Sequence, residues 1–177
     1  MKTNSFLLIL LLCLISVHYS RAQCIPTVGF TGATGDYVNN FTFGSLSNLN
    51  SGDDPNDYSL YPQTGNYVQG LTYSFTIQTG SPTWSQSVGF WIDYNGNNSF
   101  ADPGEFVYVS TFFVTSSTTL SGTITIPLTA VPGMHRLRLC AKYASTLLSV
   151  ESCGIATFGE YEDYNITIIS SVPCSGT

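Results

Sequence analysis

Oxygen-bearing side chains recur at alternate positions in one segment of this chain, and further oxygens follow closely. The alternating residues are Asp93, Asn95 and Asn97, and those that follow are Ser99, Asp102 and Glu105. Calcium loops use this spacing, because the hard Ca²⁺ ion takes about six to eight oxygen ligands and the chain must curl to supply them. We therefore expect these six residues to bind calcium, with Asp102 acting directly or through a water molecule.

The same segment supports a second interpretation, in which no metal is bound. Asn95-Gly96 is a strong signal for a tight hairpin turn. The segment also departs from the usual calcium loop, because Asn98 stands at the sixth position, where glycine is usual, and Glu105 stands at the thirteenth position instead of the twelfth. Asparagines in place of aspartates reduce the negative charge, so we expect a calcium Kd of about 10⁻⁴ to 10⁻³ M.

A second group of charged residues lies nearer the carboxyl end. The basic residues are Arg136, Arg138 and Lys142, and an acidic group follows at Glu160, Glu162 and Asp163. We expect Arg136 and Arg138 to face Glu160 or Glu162 across paired strands, in partly buried bidentate salt bridges. In the alternative, Glu160, Glu162 or Asp163 adds ligands to the Asp93 loop or forms a separate ligand site.

Residues 1–22 are predicted to be a secretory signal peptide. Lys2 gives a short positive region, residues 6–17 are apolar, and residues 20–22 form a small-x-small cleavage site. No later segment reaches the roughly 18 consecutive apolar residues of a membrane helix. We expect a secreted protein that does not insert into membranes.

Four cysteines follow the signal peptide: Cys24, Cys140, Cys153 and Cys174. An even number in an oxidising compartment indicates disulfides. Cys140 with Cys153 would close a short loop and is the first choice, whereas Cys24 with Cys153 would tie the amino terminus to the last strand. A catalytic thiol would need a nearby base, and His135 is the single histidine after residue 22.

Aromatic side chains suggest a carbohydrate-binding surface as an alternative function. Trp84, Tyr58 and Tyr61 offer flat apolar faces on which sugar rings could stack. Trp84 could instead cap the end of the protein core. Trp91 alternates with Phe90 and is expected to pack against a sheet face.

Charge and motif content exclude several classes of function. After residue 22 only three basic residues face eleven acidic ones, which gives a net charge of −8. Nucleic acids and anionic membranes require a positive surface, so neither is expected as a partner. The sequence has no HExxH, GxSxG or phosphate-binding glycine loop. A glycosidase pair of Glu105 and Glu160 in one cleft is the arrangement left open, and we expect no enzyme.

The elements that must position these residues are predicted to be strands. Polar and apolar side chains alternate at residues 73–77, 88–92, 123–126, 137–141 and 164–168. Turn-forming clusters separate them, at residues 51–57, 79–83, 95–104 and 131–133. We predict an all-β, disulfide-containing antiparallel sandwich of about seven to nine strands, jelly-roll or immunoglobulin-like, with a closed barrel as the alternative.

Two segments resemble the GEVED domain, a module of secreted multidomain proteins of Bacteroidetes. These are residues 91–95 followed by Glu105, and residues 158–164, in which residues 159–163 match the family motif with Tyr161 in place of valine. The resemblance implies a β-sandwich accessory module over residues 23–169, often found beside proteases, glycan-active enzymes or adhesion repeats. Residues 170–177 would form a linker or the start of a following module.

Together these features predict a secreted, non-catalytic and calcium-stabilised module that serves as an adhesion or accessory scaffold of a surface protein. A carbohydrate-binding module is the alternative. We expect a monomeric unit of a larger chain, with an extracellular glycan or protein as its ligand.

Overall fold

The computed structural model describes residues 23–31, 35–80, 83–111, 113–115 and 118–171. The predicted signal peptide, Cys174 and most of the predicted linker lie outside these residues. None of the described residues forms a helix long and apolar enough to cross a membrane. Within the described residues there are eleven strands and one 3₁₀ helix, Ser149–Cys153: β1 Thr27–Val28, β2 Val38–Phe43, β3 Leu46–Leu49, β4 Tyr58–Val68, β5 Thr72–Thr79, β6 Gln86–Ile92, β7 Phe106–Val109, β8 Thr119–Thr125, β9 Gly133–Tyr143, β10 Gly154–Ile155 and β11 Gly159–Ile169.

The strands form two large sheets that pack face to face. The five-stranded sheet has the order β4-β11-β9-β6-β7, and the four-stranded sheet has the order β3-β2-β5-β8. This confirms the predicted disulfide-containing β-sandwich. Two details differ: β1 and β10, of two residues each, form a small separate sheet, and β4 pairs with β11 in parallel whereas the other pairs of the two large sheets are antiparallel.

The inner core lies between the two sheets and is rich in aromatic rings. Phe90 of β6 lies at its centre, with ring centroids of Phe41 and Phe75 at 5.7 and 5.2 Å from its own. Fully burying one such side chain contributes about 1.5–3 kcal/mol. Because successive side chains of a strand point to opposite faces, alternation along each strand supplies this core from both sheets.

An outer core covers the opposite face of the five-stranded sheet. It contains Trp91 of β6, Cys140 of β9 and Tyr161 of β11, together with three residues from covering segments: Phe100, Leu147 and Ile155. Trp91 therefore packs against a sheet face, as predicted. The covering segments include the loop after β6 and the 3₁₀ helix. Both faces of this sheet are therefore buried.

The observed disulfide joins Cys24 to Cys153, with 5.8 Å between their Cα atoms. The first-choice pairing of Cys140 with Cys153 is therefore wrong, and Cys140 is a free, buried thiol. Cys140 points into the outer core beside Trp91 and Tyr161, whereas Cys153 is exposed at the end of the 3₁₀ helix. The disulfide fastens the amino-terminal segment over the outer core, to the 3₁₀ helix instead of the last strand.

Candidate functional site

The acidic motif begins at Gly159, at the start of β11. A Cβ atom at this position would lie 2.3 Å from the carbonyl oxygen of Ala141 on the neighbouring strand. No side chain fits at that distance, so the close approach of β9 and β11 requires glycine here.

Alternation along β11 sends the acidic side chains of the motif to two different faces. Asp163 lies directly across from Arg138 in the register of β11 with β9, whereas Glu162 lies across from Leu139. Cross-strand neighbours share a face, so Arg138 meets Asp163 on the outer face. The predicted pairing of Arg136 and Arg138 with Glu160 or Glu162 is therefore wrong.

Arg138 is fully buried and every N–H group of its guanidinium has an acceptor. Nε and Nη2 each donate to one oxygen of Asp163 at 2.7 Å. Nη2 also donates to the carbonyl oxygen of Cys24, and Nη1 donates to the Ser152 carbonyl oxygen and the Cys24 sulfur. Rings of Phe100 and two tyrosines surround it, the nearest centroid at 5.1 Å. Arg138 thus joins the sheet to both sides of the disulfide.

The other two basic side chains also form ion pairs. Arg136 lies 3.3 Å from Asp163 and is 22% exposed. Lys142 lies 2.6 Å from Glu151. Among the described residues, all the lysine and arginine charges are therefore bound to Asp163 or Glu151.

Glu160 and Glu162 face the inner side of the sheet without a basic partner in the part of the chain described. The two oxygens of Glu160 accept hydrogen bonds from the backbone N–H groups of Asp54 and Val38, at 3.0 and 3.1 Å. The hydroxyl of Tyr164 donates to Glu162 at 2.5 Å. Burial raises the pKa of Glu160 to about 9, with the charge of Glu162 adding to the effect, and burial raises the pKa of Glu162 to about 7.

These contacts decide two alternatives that the sequence left open. Glu160, Glu162 and Asp163 accept their hydrogen bonds from backbone N–H groups of Val38 and Asp54, from tyrosine hydroxyls and from arginines, not from the Asp93 loop. Glu105 and Glu160 are 2% and 1% exposed, so they do not face a common cleft and the glycosidase arrangement is not formed.

The Asp93 loop, residues 93–105, is curled by its own side-chain oxygens. Asp93 accepts hydrogen bonds from the backbone N–H groups of Gly96 and Asn98, at 2.8 and 2.9 Å. Three shorter-range bonds continue the curl, in which Asn95, Asn97 and Ser99 each accept from the N–H group two residues later. Asn98 adopts a φ of 64°, which asparagine tolerates better than most residues.

Glu105 closes this loop with one oxygen that lacks a hydrogen-bond partner. Its Oε1 accepts from the backbone N–H of Tyr94 at 2.9 Å, while its Oε2 is buried and unpaired. Burial raises the pKa of Glu105 to about 7, and the nearby charges of Asp93 and Asp102 add to the effect. The loop therefore concentrates carboxylates at a place where no lysine or arginine of the described chain pairs with them.

His135 connects the Asp93 loop to a second backbone segment. Its Nδ1 lies 2.6 Å from the carbonyl oxygen of Asp93, and its Nε2 lies 2.6 Å from that of Val131. The ring is buried, so this histidine bridges two segments of backbone and is not available as a general base.

A ready-made metal cluster is not present, because no three His, Cys, Asp or Glu side chains of the described residues converge on one point. A cation bound here would take amide, hydroxyl and backbone oxygens in addition to Asp93 and Glu105. Calcium accepts such mixed oxygen ligands.

The predicted sugar-stacking residues do not come together. The Tyr58 hydroxyl donates to Asp163 at 3.0 Å on the outer face, and Tyr61 stacks on Tyr164 and packs against the inner core. Trp84 alone is well exposed, at 48%, and does not cap the core as a buried side chain.

Trp84 borders a pocket of about 290 Å³, and the other described residues that line it are Asp36, Tyr143 and Phe158. Sequence reasoning missed these three because they come from separate segments. The sequence held only weak signals for these pocket residues: Phe158 directly precedes the acidic motif, and Tyr143 ends the basic strand β9.

Comparison with known proteins confirms the resemblance to the GEVED domain, whose family model matches residues 87–167. No curated protein is significantly similar to the chain in sequence.

Several solved structures are distantly similar to this chain. A lytic polysaccharide monooxygenase from Thermobia domestica is 14% identical with a TM-score of 0.38, and the match covers 61% of this chain and 63% of that one. A chitin-binding domain from Burkholderia pseudomallei is 12% identical with a TM-score of 0.41, and the match covers 60% and 57%. A lytic polysaccharide monooxygenase from Streptomyces lividans is 17% identical with a TM-score of 0.34, and the match covers 60% and 59%. The chain thus spans less than two thirds of each of these chains, and likenesses at this level carry no functional argument.

Proposed function

From the GEVED domain carried by residues 87–167, we propose that this chain is a non-catalytic extracellular accessory module that serves as an adhesion scaffold and is stabilised by calcium at the Asp93 loop. The observation that carries the calcium proposal is the buried, unpaired Oε2 of Glu105. The Cys24–Cys153 disulfide supports an oxidising, extracellular location.

The calcium proposal follows from the cost of burying charge. Asp93 and Glu105 are each 2% exposed, and ionised carboxylates lose much hydration when they leave water. A divalent cation offsets that cost and separates the two negative charges. Calcium prefers oxygen ligands and takes more of them than a pair of carboxylates can give. Asp93 and Glu105 would hold the ion, with Asn95, Asn97, Ser99 and Asp102 as the source of further oxygens.

The proposal of a non-catalytic scaffold is supported by the burial and hydrogen bonding of the side chains that could otherwise react. Burial strongly raises the pKa of the Cys140 thiol, so that group is a poor nucleophile. His135 and Arg138 are buried and hydrogen-bonded to backbone carbonyl oxygens. These side chains stabilise the fold, which leaves the surface to bind an extracellular glycan or protein.

Thermal unfolding of the secreted chain with calcium and with a chelator tests the calcium site. At a free calcium concentration ten times Kd we expect about 1.4 kcal/mol of stabilisation, which corresponds to a rise in Tm of about 3–5 °C for a chain of this size. Magnesium at the same concentration should give a smaller shift, because it requires stricter geometry and releases water reluctantly.

Matched variants separate the loop from general charge effects. Glu105→Gln and Asp93→Asn should each abolish the calcium-dependent shift in Tm. Glu151→Gln removes a carboxylate that pairs with Lys142 outside the loop, so it should lower the baseline Tm and keep the shift. If calcium leaves the Tm of the parent chain unchanged, the Asn95-Gly96 segment is a turn without metal and the proposal is wrong.

A further inference from the structure

The pocket beside Trp84 has an unusual lining for its size. Among the described residues, three aromatic rings and one carboxylate border it: Trp84, Tyr143, Phe158 and Asp36. Its volume of about 290 Å³ lies near the lower end of the range for pockets that bind small molecules. The ligand should therefore be a compact group instead of an extended chain.

The rings form walls at steep angles to one another. Trp84 meets Tyr143 at 87°, with 5.8 Å between ring centroids, and Tyr143 meets Phe158 at 75° and 6.2 Å. Phe30 packs against Phe158, with 4.8 Å between ring centroids and 31° between ring planes. A sugar ring needs one flat face to stack on, whereas crossed rings surround a rounded group from several sides.

The carboxylate gives the pocket a negative charge that the described chain does not balance. Asp36 is 4% exposed, and its Oδ1 accepts a hydrogen bond from the Gln86 side chain at 2.9 Å. The described basic side chains pair with Asp163 and Glu151 instead. A buried carboxylate among aromatic rings therefore attracts a cation from outside the chain.

We propose that this pocket binds a quaternary ammonium group, the trimethylammonium head of a choline-type ligand. Such a cation is attracted to the negative face of aromatic rings, and this attraction strengthens when both partners lose water. The ligand's positive charge would also be balanced by Asp36. The site lies apart from the Asp93 loop and needs no calcium.

Titration with choline, followed by isothermal calorimetry and by tryptophan fluorescence, tests the proposal. We expect saturable binding at millimolar or lower concentrations. The neutral isostere 3,3-dimethylbutan-1-ol should bind at least about tenfold more weakly, since it lacks the charge that both the rings and Asp36 attract. A trimethyllysine peptide serves as a second probe and shows whether the cation is presented by a small molecule or by a protein.

Three variants locate the binding. Trp84→Ala should weaken choline binding about tenfold or more, and Asp36→Asn should reduce the preference for choline over its neutral isostere. Phe113→Ala removes an exposed aromatic ring that is not in the pocket and should leave binding unchanged. Equal affinity for choline and its isostere, or no binding of either cationic probe, would overturn the proposal. Trp84-dependent binding of chitobiose or cellobiose without choline binding would assign the pocket to sugars instead.

Discussion

Neighbouring residues of β11 show two different ways of burying a carboxylate. On the outer face, Asp163 receives two hydrogen bonds from Arg138, whose remaining N–H groups hold the segments around the disulfide. On the inner face, Glu162 meets a tyrosine hydroxyl and, within the described residues, no basic partner, and burial raises its pKa to about 7. One acidic motif therefore stabilises the outer face by ion pairing and the inner face by neutral hydrogen bonding.

The largest effect should come from removing the guanidinium of the outer face. Arg138→Met leaves Asp163 buried and without its main partner, a change that typically costs about 3–5 kcal/mol. Denaturant unfolding measures this loss of free energy of unfolding.

Arg136→Met is the matched control, since Arg136 contacts the same carboxylate from a partly exposed position. A surface pair contributes about 0–1 kcal/mol, so this variant should lose little. Replacing Arg138 and Asp163 together, by Met and Leu, should recover part of the loss. Equal losses for the two arginine variants would contradict the distinction between buried and exposed pairing.

A smaller effect should follow from opening the disulfide that covers the outer face. The bond joins residues 129 positions apart, and removing a native disulfide typically costs about 2–4 kcal/mol. The Cys24→Ser, Cys153→Ser double variant should therefore unfold at a lower temperature. Cys140→Ala keeps the cross-link and serves as the control. Peptide mapping without reduction should find Cys24 joined to Cys153, and a Cys140–Cys153 peptide would refute the observed pairing.

The smallest of these effects concerns the inner face and depends on pH. The pKa of Glu162 is about 7 in the folded chain and about 4.3 in an unfolded one. The folded state therefore holds the proton more tightly, and stability from this group is present at low pH and is lost as pH rises toward 7.

Glu162→Gln imitates the protonated form and should remove this part of the pH dependence, whereas Glu160 and Glu105, whose pKa values burial also raises, keep their parts. At pH 8 we expect the variant to be about 1–2 kcal/mol more stable than the parent chain, since one pKa unit corresponds to about 1.4 kcal/mol and the amide bonds less well to Tyr164. Denaturant unfolding at pH 5 and pH 8 makes the comparison. If the parent chain instead becomes more stable from pH 5 to pH 8 and Glu162→Gln does not, the Glu162 carboxylate is ionised in the folded chain and its hydrogen bonds stabilise that charge.

The sequence predicted the strands where side-chain alternation is strong. Residues 73–77 lie within β5, which buries alternate side chains in the inner core, and residues 137–141 lie within β9, which is buried on both faces. Alternation also shows that Arg138 and Arg136 share a face. It does not show which residue of β11 lies opposite, since register depends on contacts between distant segments. The partner of Arg138 was therefore predicted wrongly.

The candidate sites were predictable to different degrees. The Asp93 loop is local in sequence, so its curl followed from the spacing of Asp93 and Asn95, and calcium binding there stays a prediction. The pocket beside Trp84 draws on Asp36 and Tyr143 from other segments, which only the folded arrangement brings together. The disulfide was misassigned for a similar reason, because the length of a loop does not tell which face of a strand Cys140 occupies.

The position of β11 between β4 and β9 has a consequence for how the chain folds. Tyr58 pairs with Tyr161 across about a hundred intervening residues, and the last strand of the described fold fills the gap between two earlier ones. Contacts so distant in sequence slow folding, because the loop must close before the contacts form. The five-stranded sheet can be completed only after β11 has emerged during synthesis. The early strands alone therefore cannot close the sandwich, and the five-stranded sheet stays open until the last strand is available.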